Sequence, residues 1–185
     1  MTNSLLIITI LISSITFNSN IKIESEISGP AAKDLNENYQ QVYLELRRNA
    51  INIDPAKLGL ETIDKNEVYG IITEMGTRFG SVTIVSYLSG DAKIFYSSDK
   101  NLNGEISEDK KYTAQEIFKE IQQLKSKGEK IENVQLPDSD QTTFNFLTGN
   151  GIYQIKDKTE NLMMGNSDNI KLYSKIESIS ALINK

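Results

Sequence analysis

The sequence contains no histidine, no cysteine and no tryptophan. Histidine is the side chain that moves protons near neutral pH, and the commonest metal ligand. Cysteine supplies the soft nucleophile and the thiolate ligand. Without them, Ser-His-Asp and Cys-His catalysis are excluded, as are zinc, haem and iron–sulfur sites built on those ligands. A disulfide scaffold and a cysteine-linked lipid anchor are excluded too. Proline is scarce: Pro30, Pro55 and Pro137 are isolated breaks and form no Pro-rich linker. Positive charge is in deficit, with 20 Lys and Arg against 25 Asp and Glu, a net charge of −5. Nonspecific nucleic-acid binding needs a basic stripe. The one adjacent arginine pair, Arg47-Arg48, is too small for that and reads as a solvated helix face.

What remains is carboxylates, hydroxyls, lysines and backbone groups on a composition that is 38% hydrophobic and 24% charged. That is globular composition. The 185 residues suggest one domain plus an extra segment. A body of about 150 residues buries roughly 70% of its unfolded surface and holds a core without metal or disulfides.

Leu5–Phe17 is the longest apolar stretch, 13 residues, short of the roughly 20 that span a bilayer. Its length suits a signal-peptide core, although Met1–Ser4 carries no Lys or Arg and no A-x-A site follows. An export signal or uncleaved anchor would place the chain outside the cytoplasm or at a membrane. Its β-branched residues equally suit a core or pairing strand. Residues 18–33 read as a linker around Gly29-Pro30, and 34–185 as a single domain.

Within that domain, Asp34 and Glu37 resemble a capping box opening a helix. Tyr39, Val42, Tyr43, Leu46 and Ala50 give it one apolar face, and Asp54-Pro55 ends it. Glu67–Met75, Ser81–Leu88 and Ala92–Ser98 read as three strands, joined by the loop Gly76–Gly80 and the turn Ser89-Gly90-Asp91. Such short connections make them antiparallel neighbours. A polar loop runs from Asp99 to Tyr112. Thr113 and Glu116 form a second capping box, before a helix with Ala114, Ile117, Ile121 and Leu124 on one face. Thr142–Thr148 and Ile152–Lys156 form a hairpin around Gly149-Asn150-Gly151. Ser167 or Asp168 caps a final helix striped by Ile170, Tyr173, Ile176, Ile179 and Ile183. The expected fold is α+β, in the order α-βββ-α-ββ-α. It has a single antiparallel sheet of about five strands, with helices on at least one face.

From Pro55 to Lys156 the chain carries LGL at Leu58–Leu60, VYG at Val68–Gly70 and SGDAKIFYSS at Ser89–Ser98. It continues with LPDSD at Leu136–Asp140 and FLTGNGIY at Phe146–Tyr153. In this it resembles a family of small uncharacterised bacterial proteins with the pattern VYG…GDA-x-x-Y-x-S…LP…F-x-L-T. The resemblance implies the fold and brings no activity or catalytic residue.

One loop has a chemical pattern. Asp99–Lys110 follows an EF-hand, with oxygen ligands at Asp99, Asn101 and Asn103 and Gly104 at the sharp turn. The Glu105 carbonyl and Ser107 follow. Short oxygen side chains on alternate residues wrap a hard cation, so calcium is the cofactor this loop would take. Lys110 stands where a bidentate glutamate belongs. The alternative is a polar connector, rich in Asp, Asn and Gly because turns favour them. Asp138 and Asp140 are two carboxylates that could form an acid–base couple, or simply turn the chain. Arg78 between Gly76 and Gly80 could meet an anion. Met163-Met164 could mark a contact surface or pack under the final helix.

Three functions follow. The first is a non-catalytic accessory module that binds a protein partner, an adaptor or an immunity-type inhibitor of a basic protein. It calls for an exposed apolar patch on the sheet or first helix. The second is calcium binding at 99–110. The third is a carboxylate-based hydrolase, which needs two carboxyls about 5–9 Å apart across a cleft.

Overall fold

A computed structural model describes residues 30–98 and 103–184. The apolar segment Leu5–Phe17, most of the expected linker, and the loop residues Asp99 and Asn101 lie outside the described residues.

Helix α1 spans Pro30–Ile51. It begins four residues before Asp34, so the expected capping box lies within the helix. Pro30 at the first position brings the helical φ, and Ala31-Ala32 are strong helix formers. After a single 3₁₀ turn at Pro55–Leu58, capped by Asp54, the sheet begins. Its strands are β1 (Val68–Thr77), β2 (Gly80–Tyr87), β3 (Ala92–Tyr96) and β4 (Gly104–Ile106). Then come helix α2 (Glu108–Gln122), β5 (Glu129–Ile131), β6 (Gln141–Thr148) and β7 (Gly151–Lys158). The short α3 (Thr159–Met163), α4 (Ile170–Ser180) and β8 (Ile183–Asn184) complete the chain's described part.

The α+β class and the single antiparallel sheet are as read from the sequence, but the sheet has eight strands, not about five. The order is β5-β7-β6-β1-β2-β3-β4-β8, and the sheet is open. The five expected strands form its centre. The three extra ones are two or three residues long and sit at its ends. The second helix also starts earlier than expected, at Glu108 and not at Thr113. Glu108 and Asp109 fill its first turn, where the positive end of the helix favours carboxylates.

Both faces of the sheet are covered. On one face Ile71, Met75, Val82, Ile84, Ile94, Phe144 and Phe146 pack under α2, α3 and α4. Phe118, Ile121, Leu162, Ile176 and Ile179 of those helices are fully buried against them. On the other face Tyr43 and Ala50 of α1 pack on Ile72, Val85, Tyr87, Phe95 and Leu147. Burial on two sides explains why β1 reads as a near-continuous apolar run and not an alternation. No helix of the described residues is long and apolar enough to cross a membrane.

Two glycines allow close approach of neighbouring segments. A Cβ on Gly70 would lie 2.8 Å from the Tyr87 ring. A Cβ on Gly76 would lie 2.0 Å from the carbonyl oxygen of Asp138. Gly76 is thus part of β1, and the hairpin loop shrinks to Arg78-Phe79.

Candidate functional site

Helix α1 turns Tyr43, Arg47 and Ala50 toward the sheet, a spacing of four and three that keeps one face inward. Each makes a specific contact. The Tyr43 hydroxyl pairs with Thr83 Oγ1 at 2.8 Å, and its ring meets Phe95 edge-on at 6.1 Å. Burial raises the Tyr43 pKa above its ordinary value. The Tyr87 hydroxyl donates to the Ala50 carbonyl at 3.0 Å. Arg47 donates to both oxygens of Glu74, at 2.6 and 2.8 Å, and to the Val134 carbonyl at 3.1 Å. The Glu74 side chain has no exposure at all and that of Arg47 only 11%. Arg47 is therefore not on a solvated face as the arginine pair suggested; it falls four residues after Tyr43, on the inward row.

The flanks of α1 remain open. Val42 and Leu46 are 44% and 39% exposed, and Leu44 is similarly uncovered. Beside Leu46 a groove of about 430 Å³ runs between the helix and the β3–β4 strands. Its walls include Leu46, Ile53 and Gly104, and its floor is Val85, Tyr87 and Phe95. Asn49, Lys93 and Asn103 give it a polar rim. The groove lies beside α1, which packs on β2 and β3 through Tyr43 against Phe95 and through the Tyr87 hydroxyl on the Ala50 carbonyl.

The expected metal-loop residues have these places. Asn103 Oδ1 accepts from the Tyr96 amide at 3.1 Å. Glu105 lies in β4, opposite Lys93, with the two side chains paired at 3.3 Å on the surface. Ser107 is the extended residue just before α2. Lys110 reaches away to β8, donating to the Leu182 carbonyl and to Asn184 Oδ1. Among the described residues no three Asp or Glu side chains converge as a metal-holding group.

Asp138 and Asp140 act through their backbones. The Gln141 amide donates to the Asp138 carbonyl at 3.1 Å, and the Asp140 amide to Gly76 at 3.1 Å. Asp140 has φ 64, the one non-glycine residue at positive φ among those described. Asp tolerates that region better than most residues. Both aspartates border an open depression of about 510 Å³ with Asp157 and Lys158. Arg78 stacks over the ring of Phe79 at 4.5 Å. Met163 packs against the core, whereas Met164 is exposed.

Sequence reasoning missed the Arg47–Glu74 pair and the groove. The phase of Arg47 relative to Tyr43 was a readable signal for the first. The second depends on which strands α1 crosses, which no local pattern records. No family model, curated protein or solved structure matches this chain.

Proposed function

We propose that the chain is a non-catalytic accessory module that binds a protein partner through α1 and the groove beside it. The observation that carries this reading is the 430 Å³ apolar groove flanked by half-exposed Leu46 and Val42. A partner's apolar anchor seated against Leu46 and Val42 would bury apolar surface that water now covers, the usual source of interface energy. The net charge of −5 suits a basic partner and would speed its approach. α1 is held rigidly by its contacts with Thr83, Glu74 and Tyr87. Little ordering is therefore required on binding.

The test is parallel capture from native cells with tagged wild type and Leu46→Lys, read by mass spectrometry. Leu46 is already partly exposed, so the variant is expected to melt at the wild-type temperature. A stoichiometric partner retained by wild type and lost by Leu46→Lys supports the reading. Equal retention by both, or no partner above background, overturns it.

Calcium at Asp99–Lys110 is the second reading. What favours it is the exit of the loop, with Ser107 at its ninth position directly preceding α2. Millimolar calcium is then expected to raise the melting temperature of wild type but not of Asp99→Ala. An unchanged wild type would remove it.

A further inference from the structure

A second concavity lies on the α1 side of the sheet, between β6, β7 and the stretch that joins β5 to β6. Its floor is Thr143 of β6 and Gln154 of β7, both buried. Gln154 Nε2 donates to Asn145 Oδ1 at 2.6 Å, which fixes the orientation of its amide. The roof is the irregular stretch between β5 and β6, contributing Asn133, Gln135 and Asp138. The cavity is partly open and holds about 150 Å³, room for several waters or a small polar molecule. It shares Asp138, Gln141 and Lys156 with the open depression of about 510 Å³.

Two features bear on what this cavity can hold. The first is that its roof is tethered in three places. Arg47, itself held by Glu74, binds the Val134 carbonyl at 3.1 Å. The Asp138 backbone lies against Gly76, where no side chain would fit. The Asp140 amide binds the Gly76 carbonyl. A stretch without regular structure is thereby fixed before any ligand arrives, which is preorganisation. The second feature is the lining. Side-chain amides of Asn133, Gln135, Gln141 and Gln154 surround one carboxylate, Asp138, and one ammonium, Lys156. Both charged groups are exposed at the mouth of the cavity, and among the described residues neither makes an ion pair or side-chain hydrogen bond. A ligand with only negative charge would face Asp138, and one with only positive charge would face Lys156. A ligand carrying both charges satisfies both groups, and the amides can serve its remaining donors and acceptors.

We propose that this cavity binds a small zwitterion, a free α-amino acid. Its carboxylate is held by Lys156, its ammonium by Asp138, and its remainder extends toward the open depression. This site is separate from the groove beside α1 and stands whether or not a protein binds there.

The experiment titrates the full chain with each of the twenty L-α-amino acids, with acetate and methylamine as half-ligands. Binding is read by calorimetry and by the side-chain amide resonances of Gln141 and Gln154. At least one amino acid is expected to bind saturably and to move those resonances. Acetate and methylamine are expected to bind at least about tenfold more weakly, as each lacks one charge-assisted contact. Lys156→Met and Asp138→Asn are each expected to weaken binding about tenfold or more while the melting temperature stays unchanged. The proposal is overturned if no amino acid binds at millimolar concentration. Binding that survives both substitutions, or a half-ligand as tight as the best amino acid, overturns it as well.

Discussion

Arg47→Met removes the partner of a carboxylate that water cannot reach. Glu74 has no side-chain exposure, and both its oxygens are held by Arg47 at 2.6 and 2.8 Å. Among the described residues the only other hydrogen bond to its side chain comes from Thr83 Oγ1, at 3.4 Å. At an effective dielectric constant near 20 the attraction of such a pair is about 4 kcal/mol. Breaking a buried pair from one side costs about 3–5 kcal/mol, because the remaining charge is left uncompensated. For a chain of this size that lowers the melting temperature by about 6–20 °C. Replacing both members with apolar residues, Arg47→Met with Glu74→Leu, removes the charge along with its partner and should recover most of the loss. Urea unfolding followed by circular dichroism gives all four corners of the cycle. The single variant is expected to be far less stable than the double. A single-variant loss below about 1 kcal/mol, or additive losses, would refute the view that this pair is a buried and mutually dependent unit.

Gly76→Ala would force a Cβ to 2.0 Å from the Asp138 carbonyl oxygen. Displacing that segment is expected to cost about 1–3 kcal/mol in urea unfolding, and to weaken any ligand bound under the 131–138 roof. Phe118→Ala empties a fully buried position between α2 and the sheet, with an expected cost of about 3–5 kcal/mol. Glu177 gives a pH signature. Burial pushes its carboxyl from 4.5 up to about 6, against the lowering effect of the Tyr173 hydroxyl. The folded chain therefore holds this proton more tightly than the unfolded chain. The group's contribution is full below about pH 4.5 and is lost as pH rises through about 6. Glu177→Gln is thus expected to be more stable than wild type near pH 8, by about 1 kcal/mol once partial solvent screening is allowed for. Unfolding midpoints that differ equally at low and high pH would contradict this.

The central sheet was legible because β1, β2, β3, β6 and β7 each bring at least five residues of β-rich pattern between clear turns. β4, β5 and β8 were not. Two or three residues show no period, and Gly104-Glu105-Ile106 sits in a stretch whose polarity reads as loop. These strands form because neighbours offer free backbone edges, which is tertiary information. The second helix was legible in its apolar face but not in its start, since Thr113 mimics a cap that Glu108 and Asp109 made unnecessary. The groove's residues were visible one by one. Leu46 and Ala50 were placed on a single apolar face, yet the structure buries one and leaves the other open. The sheet beneath α1 is wider than the helix, and a helical wheel does not contain that width. The second cavity joins Asp138 of a loop to Gln154 and Lys156 of a strand. Only the antiparallel return of β7 beside β6 brings them together.

The pairing of β1 with β6 also sets an order of events in folding. β1, β2 and β3 are joined by short turns, as are β6 and β7, so each group can zip on the microsecond scale of hairpins. The two groups meet only where residues such as Ile72 and Asn145 come together, 73 positions apart. Closing a loop of that length costs about 4 kcal/mol in chain entropy beyond its constant part. That cost is met before the shared core under α2 and α4 exists to offset it. Docking of the two antiparallel blocks along this seam is therefore the step expected to limit the folding rate. Until that seam closes, β1 and β6 each expose an unpaired apolar edge, which makes the half-assembled chain the species most prone to self-association.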